Sequence, residues 1–287
     1  MFCVGATKAG TSWLHRYLAA HNECHFRSLK ELHYFGLSRP AQFGAALRAG
    51  RQEIARLSSL MAQRDDFGAV TDTRIADLRD WQKVLRAKAF DLAAYKAFLT
   101  QNMGEAHVVG DVTPAYALLP VETLQAIHSV GADVRVVYLM RDPLARLWSH
   151  VRMIAKHLDR QKFATGAMAL LDRILGADPT PETKGIVARG DYAAIVPKLR
   201  LAFDPKQLLV MFYEDMLTAP GFARICAFLG IADRPADFAR KVHAGKPLAL
   251  HHTDRAAAAR FLRPQYTFAA QMFPALPDAW RSAMNEA

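Results

Sequence analysis

The chain has 287 residues, of which 52% are hydrophobic, so its length and composition fit one large α/β domain and exclude a wholly disordered protein. No apolar run reaches the length of a membrane-spanning helix, and the N-terminus lacks the charged start and long apolar stretch of a signal peptide. The 37 basic residues exceed the 27 acidic ones by ten, which favours an anionic partner such as a nucleotide, a polyanion, a nucleic acid or a membrane surface.

Four short segments are nearly continuous in apolar residues, as strands buried on both faces of a sheet are. They are Phe2 to Gly5, Val108 to Asp111, Arg135 to Met140 and Leu208 to Phe212. Helical patterns separate them, so the alternation predicts a central parallel sheet with helices on both faces. We interpret residues 1–287 as a single α/β domain.

The connections between these strands differ in character. Residues 37–106 form a long helical insertion, and residues 159–190 form a second connection that ends in the loop DPTPETKG. Residues 232–255 are predicted to be irregular and basic. Capping residues and a closing glycine further predict helices over about 11–20, 142–157, 191–202 and 220–229.

The segment GATKAGTSWL, residues 5–14, joins the first strand to a helix. Backbone N–H groups and the positive end of the helix then surround one point and favour an anion there. Gly10 lets the backbone approach a phosphate closely. Thr11 and Ser12 offer hydroxyl groups and can cap the helix, and Lys8 adds a full charge. The segment therefore predicts a phosphate-binding loop.

This loop differs from the nucleotide-hydrolase loop written Gly, four residues, Gly-Lys-Ser/Thr. Gly5 and Gly10 have the required spacing, but Thr11 stands where the lysine should be. Lys8 lies two residues before the second glycine instead. An ordinary strand-to-helix turn that contains a lysine is the alternative interpretation.

A second candidate phosphate site follows the third strand, in RVVYLMRDPLARLWS. Arg141 comes directly after the strand, at the sheet edge where doubly wound folds bind ligands. Asp142 and Pro143 form an N-cap and first-turn pair that opens a helix to about His157. Ser149 lies nearly two turns along this helix, and we expect it on roughly the same face. Arg141 and Ser149 are therefore a candidate pair for one phosphate, with a surface arginine and a solvated serine as the alternative.

These segments together resemble the sulfotransferases. TKAGTSWL is similar to the 5′-phosphosulfate loop of that family, and LMRDPLARLWSHV is similar to its 3′-phosphate motif, in the same order along the chain. SLKELHYF at 28–35, GDVTPAYA at 110–117 and the segment 189–216 resemble further parts of the glycosaminoglycan-type and bacterial members. The resemblance covers most of the chain and is weakest at 37–106 and beyond 231.

The resemblance implies a P-loop-related fold and a cofactor. The enzyme would move a sulfuryl group from 3′-phosphoadenosine 5′-phosphosulfate to an acceptor hydroxyl or amine and release adenosine 3′,5′-bisphosphate. Lys8 would stabilise the leaving phosphate, while Arg141 and Ser149 would hold the 3′-phosphate. Cations and backbone dipoles can stabilise the charge, so no metal is required. The other nucleotide-binding residues that the resemblance implies are Ala9, Gly10, Thr11, Ser12 and Trp13.

On the acceptor side, the resemblance implies that Glu31 is the general base. His33, two residues on in a predicted extended segment, would face the same side and either orient Glu31 or replace it. A solvated carboxylate and a packed histidine are the alternatives. Thr113, Pro114 and Tyr116 are expected to line the acceptor pocket.

Four positions depart from the family pattern. Thr7 replaces a proline, and Val151 replaces a tyrosine two residues after the serine. Gly36 replaces an acidic residue, so one supporting carboxylate is missing. Val112 stands where some glycosaminoglycan enzymes have lysine, which weakens the case for a sulfated polysaccharide as acceptor. A small molecule, a lipid or a carbohydrate is the expected acceptor.

Two other functions fit parts of the sequence. A P-loop kinase-like phosphotransferase shares the strand-loop-helix start, but it needs a Lys-Ser/Thr pair after the second glycine. It also needs a strand-ending aspartate for magnesium, for which Asp111 and Asp142 are candidates. A non-catalytic basic polyanion-binding protein fits the charge, but no nucleic-acid-binding motif is recognisable and no nucleic-acid partner is expected.

The three cysteines are Cys3, Cys24 and Cys226, an odd number without paired spacing. This pattern argues against a disulfide scaffold and against a zinc site. A protein without disulfides fits a reducing compartment, so we expect a cytoplasmic, bacterial-type enzyme. Its basic surface leaves peripheral contact with anionic lipid open.

Overall fold

The structure is a computed structural model that describes residues 1–62, 68–176, 179–239 and 245–285. The strands in these ranges are β1 (Phe2–Gly5), β2 (Cys24–His25), β3 (Val108–Val109), β4 (Asp111–Val112), β5 (Val136–Met140) and β6 (Leu208–Phe212). The helices are α1 (Thr11–Ala19), α2 (Pro40–Met61), α3 (Gly68–Leu85), α4 (Leu92–Thr100), α5 (Val121–Ala126), α6 (Pro143–Leu158), α7 (Phe163–Leu175), α8 (Pro181–Ala188), α9 (Tyr192–Ala202), α10 (Tyr213–Met216), α11 (Ala219–Leu229), α12 (His252–Phe261), α13 (Arg263–Met272) and α14 (Asp278–Met284).

The main sheet is parallel and has the strand order β4-β1-β5-β6. Phe2 of β1 lies between Asp111 of β4 and Val136 of β5. The chain moves from β1 to β4 on one side and then to β5 and β6 on the other, so the topology reverses direction at β1. Ligands bind at such switch points, outside the carboxyl ends of the strands. The predicted α/β fold with a central parallel sheet flanked by helices is confirmed.

The strand predicted over 108–111 is divided between two sheets. Val108–Val109 pairs with β2, whereas Asp111–Val112 pairs with β1. Gly110 lies at the change of direction, where a Cβ atom would come within 2.7 Å of the Met1 carbonyl oxygen. Glycine is therefore required at this position, because the chain passes too close to the Met1 carbonyl oxygen for any side chain.

Three predicted helix boundaries are confirmed by their capping groups. The Asp142 carboxylate accepts a hydrogen bond of 2.7 Å from the Ala145 N–H at the start of α6. Asp191 accepts one of 3.2 Å from the Ala194 N–H at the start of α9. Gly230 ends α11 with a positive φ of 70°. Each cap is of the kind that its residue type favours.

Two predicted boundaries are wrong. The N-cap of α1 is Gly10 and not Thr11 or Ser12, which lie in its first turn. Gly10 has a left-handed φ of 82°, which glycine adopts without strain, so the loop turns one residue earlier than predicted. The loop predicted over DPTPETKG is helical from Pro181 onward, because the Thr180 hydroxyl caps α8; residues 177 and 178 lie outside the described ranges.

Helices α3 and α4 hold the segment that carries Glu31. The buried Arg27 guanidinium lies 2.7 Å from an Asp77 oxygen and 2.9 Å from an Asp80 oxygen, both on α3. The Tyr34 ring stacks on the Tyr95 ring of α4 with centroids 4.7 Å apart. Breaking a buried ion pair of this kind is strongly destabilising, so these contacts fix both ends of the segment.

The basic segment predicted to be irregular at 232–255 is described except for residues 240–244. It contains neither helix nor strand in the described residues up to His251, and α12 begins at His252. No helix among the described residues is both long enough and apolar enough to cross a bilayer.

Candidate functional site

The two predicted phosphate motifs meet at the carboxyl ends of β1 and β5, which are neighbours in the sheet. The Arg141 side chain donates a hydrogen bond of 3.0 Å from Nη1 to the Lys8 carbonyl oxygen. Lys8 has a left-handed φ of 72°, a conformation uncommon for a residue with a side chain. Such strain persists only when the surroundings hold it, and it is concentrated at functional sites. Arg141 therefore fixes the loop that presents Lys8.

Gly10 is required by its close approach to Tyr213 as well as by its φ. A Cβ atom at Gly10 would lie 2.5 Å from a carbon of the Tyr213 ring. The Arg141 guanidinium carbon lies 5.1 Å from the centroid of the same ring. Tyr213 thus supports both motifs through a cation–π contact and van der Waals packing. Sequence reasoning missed it, although its position directly after β6 matches that of Arg141 after β5.

The first turn of α1 follows this loop directly. Thr11 is buried and Ser12 is half-buried, and Ala9 is wholly buried beneath them. Trp13 packs away from the loop: its ring stacks on Phe238 with centroids 5.8 Å apart. The N-terminal N–H groups of a helix have no partners within it, so they can bind an anion.

The backbone around Arg141 is held by buried polar side chains from three later helices. The Tyr192 hydroxyl donates to the Arg141 carbonyl oxygen at 2.7 Å and accepts from its N–H at 3.1 Å. The Asp142 N–H donates to Glu214 at 3.0 Å, and the Tyr266 hydroxyl donates to the Asp142 carboxylate at 2.8 Å. Burial raises the pKa of the Asp142 and Glu214 carboxyls. Arg141 is thereby fixed at its backbone, while its guanidinium extends toward Lys8.

One face of α6 adds a third cation to the site. Arg152 and Met153 follow Ser149 by three and four residues and share its face of the helix. The Met153 sulfur lies 3.7 Å from the Lys8 ammonium. Burial lowers the pKa of Lys8, and the charges of Arg141 and Arg152 lower it further. Lys8, Arg141 and Arg152 therefore converge, with Ser149 on the same face.

Arg152 was missed by sequence reasoning, although its place one turn after Ser149 was a usable signal. Its Nη1 donates a hydrogen bond of 3.1 Å to the Lys246 carbonyl oxygen. Its buried Nε has no hydrogen-bond partner among the described residues. The indole N–H of Trp148 donates to the Leu248 carbonyl oxygen at 2.7 Å, so α6 also holds the segment after residue 244. Burial lowers the pKa of Arg152, and Arg141 adds to the effect.

Glu31 and His33 lie side by side, as predicted, but not in an extended segment. Both have left-handed φ angles, 64° and 56°. The Glu31 N–H donates to the Val112 carbonyl oxygen at 3.0 Å, which ties the segment to the end of β4. The Lys30 ammonium lies 2.6 Å from one Glu31 oxygen and His33 Nε2 lies 3.7 Å from the other. Both the Glu31 and the His33 side chains remain about half exposed, 48% and 49%, so they are open to a substrate.

A buried carboxylate lies under this pair. Asp111 accepts hydrogen bonds from the hydroxyl groups of Tyr95 (2.8 Å), Thr113 (2.7 Å) and Tyr116 (2.8 Å). Burial raises the pKa of Asp111, whereas these hydroxyls and His33 oppose the increase. Thr113 and Tyr116 are buried, and so is Pro114 at the start of the intervening turn. The Thr113 and Tyr116 hydroxyls therefore face Asp111, beneath the surface that Glu31 and His33 present.

The two carboxylates considered for magnesium are engaged by the protein. Asp111 binds three hydroxyls, and Asp142 caps α6 and accepts from Tyr266. Among the described residues there is no group of three or more His, Cys, Asp or Glu side chains placed to hold a metal ion. The cations of the site therefore have no cluster of carboxylates beside them among the described residues. Glu31 is near enough for its charge to oppose the lowering of the Lys8 pKa.

A family model described as "Sulfotransferase family" matches residues 1–235, which is most of the chain. The matched range includes the loop around Lys8, the Glu31 segment and the α6 motif. It ends before the segment that Arg152 and Trp148 hold. No curated protein matches the chain.

Two solved structures have the same fold. A sulfotransferase from Alicyclobacillus acidocaldarius aligns with a TM-score of 0.62 and 21% identity, over 98% of this chain and 97% of that one. The sulfotransferase domain from the curacin biosynthetic pathway aligns with a TM-score of 0.51 and 17% identity, over 99% of this chain and 95% of that one. Identities this low show the fold alone.

Proposed function

The chain belongs to the sulfotransferase family, and we propose that it transfers a sulfuryl group from 3′-phosphoadenosine 5′-phosphosulfate to an acceptor hydroxyl or amine. One observation carries the choice of donor. Lys8 and Arg141 lie at the carboxyl ends of β1 and β5, with the Met153 sulfur of α6 3.7 Å from the Lys8 ammonium. Burial lowers the pKa of Lys8, and repulsion from Arg141 and Arg152 lowers it further. A ligand with phosphate groups at two positions of its ribose would relieve this repulsion.

The residues present fit such a donor. The first turn of α1 and Gly10 offer N–H groups and space to the 5′-phosphate. Arg141 and Ser149 are assigned to the 3′-phosphate, and the unpartnered Nε of Arg152 adds a donor on the same helix face. Ala9 supports the loop from its buried side, and Trp13 anchors the first turn of α1 by stacking on Phe238. A phosphosulfate supplies an activated sulfuryl group when it is bound.

The chemistry assigned to the side chains is in-line displacement. Glu31 accepts the proton of the acceptor while the new oxygen–sulfur bond forms. Lys8 neutralises the charge that develops on the phosphate oxygen as the old sulfur–oxygen bond breaks. His33 lies within 3.7 Å of Glu31 and is assigned the orientation of that carboxylate. No step assigned here passes through a metal ion.

The acceptor is assigned to the exposed side of Glu31 and His33. Thr113, Pro114 and Tyr116 are assigned to support this acceptor surface from beneath, since the Thr113 and Tyr116 hydroxyls bind the buried Asp111 carboxylate. The acceptor classes remain a small molecule, a lipid or a carbohydrate. We also assign the enzyme to a reducing, cytoplasmic environment, which its three buried free cysteines support.

The kinase-like alternative is less well supported, because it requires a free aspartate at a strand end and a lysine after Gly10. Asp111 and Asp142 are both engaged by protein donors, and Thr11 follows Gly10. A purely polyanion-binding protein would not need Lys8 and Glu31 held in left-handed conformations around one space.

The experiment that tests the donor is calorimetric titration with adenosine 3′,5′-bisphosphate in the presence of a metal chelator. Wild type is expected to bind it far more tightly than AMP. Arg141→Ala is expected to weaken bisphosphate binding about 100-fold, because a guanidinium fork to a phosphate is lost. Arg200→Ala, which removes an exposed arginine outside the site, is the matched control and should bind as wild type does. Equal affinity of wild type for AMP and the bisphosphate would refute the assignment.

Arg152 gives a smaller and separable effect. Arg152→Ala is expected to raise the KM for the donor about 10-fold with little change in kcat, because this partly exposed side chain is assigned to uniform binding of the donor. Arg152→Lys keeps the positive charge but loses the two parallel N–H groups of the guanidinium. Its KM for the donor should lie between those of wild type and Arg152→Ala. Steady-state kinetics at varied donor concentration measure this. A fall in kcat with an unchanged KM would contradict the assignment.

A further inference from the structure

Lys30 is a largely buried cation beside Glu31 that has no role in the transfer steps assigned to Glu31, His33 and Lys8. Its ammonium lies 2.6 Å from a Glu31 oxygen, and its side chain is only 17% exposed. Within the described ranges, this ammonium has no other hydrogen-bond or ion-pair partner. An ammonium carries three N–H donors, so two of them remain after the contact with Glu31 and can bind a second anion.

The backbone at Glu31 brings the two side chains together. In an extended segment, successive side chains point to opposite faces. Glu31 instead has a left-handed φ of 64°, and its side chain meets that of Lys30 on one side of the chain. Such a conformation is uncommon outside glycine, and it persists where the surroundings hold it, above all at functional sites. The Val112 carbonyl oxygen holds the Glu31 N–H at 3.0 Å, so this pair of charges is fixed at the end of β4.

The charge of Lys30 acts on the loop that holds Lys8. Strand β4 is the neighbour of β1 in the sheet, so the segment held at the end of β4 lies beside the loop that follows β1. Burial lowers the pKa of Lys8, and Lys30 is one of the cations that lower it further, whereas Glu31 opposes the shift. Burial also lowers the pKa of His15, on α1, to about 4, and Lys30 adds to this effect. Lys30 and Glu31 therefore border the same space as Lys8.

In-line transfer puts the sulfuryl group between Glu31 and Lys8. The acceptor atom, the sulfur and the leaving oxygen lie on one line, with the base at one end and the cation for the leaving oxygen at the other. The nonbridging oxygens of the group point sideways from this line and carry negative charge. We propose that Lys30 is a catalytic residue that binds a nonbridging sulfuryl oxygen while it keeps its contact with Glu31. This role rests on the proposed sulfuryl transfer and adds a residue to it.

Lys30 exchanges no proton in this step. The acceptor proton passes to the Glu31 carboxylate, and an electron pair of the acceptor atom forms the new bond to sulfur. The electron pair of the old sulfur–oxygen bond goes to the 5′-phosphate oxygen beside Lys8. An ammonium at the side of the sulfuryl group holds that group on the line of attack. The bisphosphate product lacks the sulfuryl oxygens, so Lys30 distinguishes the phosphosulfate from the bisphosphate.

The first test is calorimetric titration of the full chain with 3′-phosphoadenosine 5′-phosphosulfate and with adenosine 3′,5′-bisphosphate, both without an acceptor. Lys30→Met is expected to weaken phosphosulfate binding about 10-fold, because one hydrogen bond to a charged group is lost. Its affinity for the bisphosphate should change less than about twofold, which also shows that the variant is folded. The matched control, Lys206→Met, removes an exposed lysine outside the site and should bind both ligands as wild type does. Equal weakening for both ligands, or none for the phosphosulfate, would overturn the contact with the sulfuryl group.

The transfer rate gives a second readout. Lys30→Met is expected to lower kcat about 100-fold, because the sulfuryl group is no longer held in line with the acceptor. Lys30→Arg keeps the charge and a donor for Glu31, and should lose only about 10-fold, because its planar guanidinium is placed differently from an ammonium. Bisphosphate release with the best acceptor from a panel of alcohols, phenols and amines measures both variants. An unchanged kcat in Lys30→Met would contradict the role of Lys30.

Lys30→Met in the Glu31→Gln background separates a contact with the sulfuryl group from an orienting effect on Glu31. A contact with the sulfuryl group predicts that the loss of phosphosulfate affinity, about 10-fold, persists in this background. A lysine that only orients the carboxylate would leave this affinity unchanged, and it would have no further effect on kcat once Glu31 is replaced. That second pattern would overturn the proposal. Failure of wild type to bind the bisphosphate, or to release it from the phosphosulfate, would instead refute the transfer reaction itself, so the two proposals fail separately.

Discussion

Replacing Lys8 by alanine is expected to lower kcat about 1000-fold, while the affinity for adenosine 3′,5′-bisphosphate falls less than about 10-fold. Lys8 is assigned to charge that appears on the leaving oxygen only as the sulfur–oxygen bond breaks, and removing one such preorganised donor costs about 10²- to 10³-fold. Ground-state phosphate contacts from Arg141 and α1 would remain. The rate of bisphosphate release measures the loss, with the best acceptor from a panel of alcohols, phenols and amines.

Two controls make the Lys8 result specific. Lys8→Arg keeps a charge in the loop and should recover part of the rate, although its planar fork fits one oxygen less well than an ammonium does. Lys206→Ala removes an exposed lysine outside the site and should leave the rate unchanged. The role assigned to Lys8 is refuted if Lys8→Ala loses bisphosphate affinity and kcat in equal measure or keeps its kcat.

The lowered pKa of Lys8 adds a dependence on pH. Burial and the nearby Arg141 and Arg152 disfavour the ammonium in the free enzyme, so it loses its proton at a lower pH than an ordinary lysine does. An anionic donor opposes this shift. As pH rises, kcat/KM for the donor should therefore fall before kcat falls, and Arg152→Ala should move the fall in kcat/KM toward higher pH.

The sequence predicted best what lies directly after buried strands. The loop at Lys8 and the position of Arg141 follow from apolar runs that end in charged residues, because the carboxyl ends of parallel strands share one edge of the sheet. Tyr213 follows β6 in the same way, but an aromatic residue after a strand carries no signal of its own. Its contact with Gly10 appears only when the strand order is known.

Residues brought in from distant segments could not be predicted. Arg152 lies one turn after Ser149, and this spacing predicts that it shares a helix face with the serine. Its hydrogen bond to the Lys246 carbonyl oxygen could not be predicted, because that segment has no periodic pattern, and neither could its unpaired Nε. Glu31 and His33 were expected to align by the alternation of an extended strand. They meet instead through two left-handed residues, which the ion pairs of Arg27 and the packing of the aromatic residues hold in place.

Replacing Glu31 by glutamine is expected to lower kcat about 1000-fold, within the 10²- to 10⁴-fold range that a general base contributes. Glutamine keeps the size of the side chain and can still accept from Lys30, so bisphosphate binding and stability should be unchanged. His33→Gln should cost only about 10-fold, because His33 is assigned to orient the carboxylate and lies 3.7 Å from it. Single-turnover rates of both variants, measured with the same acceptor, decide between the two residues. A large loss in His33→Gln beside a small loss in Glu31→Gln would transfer the role of base to the histidine, whose place above the buried Asp111 would then resemble that of a carboxylate-supported imidazole.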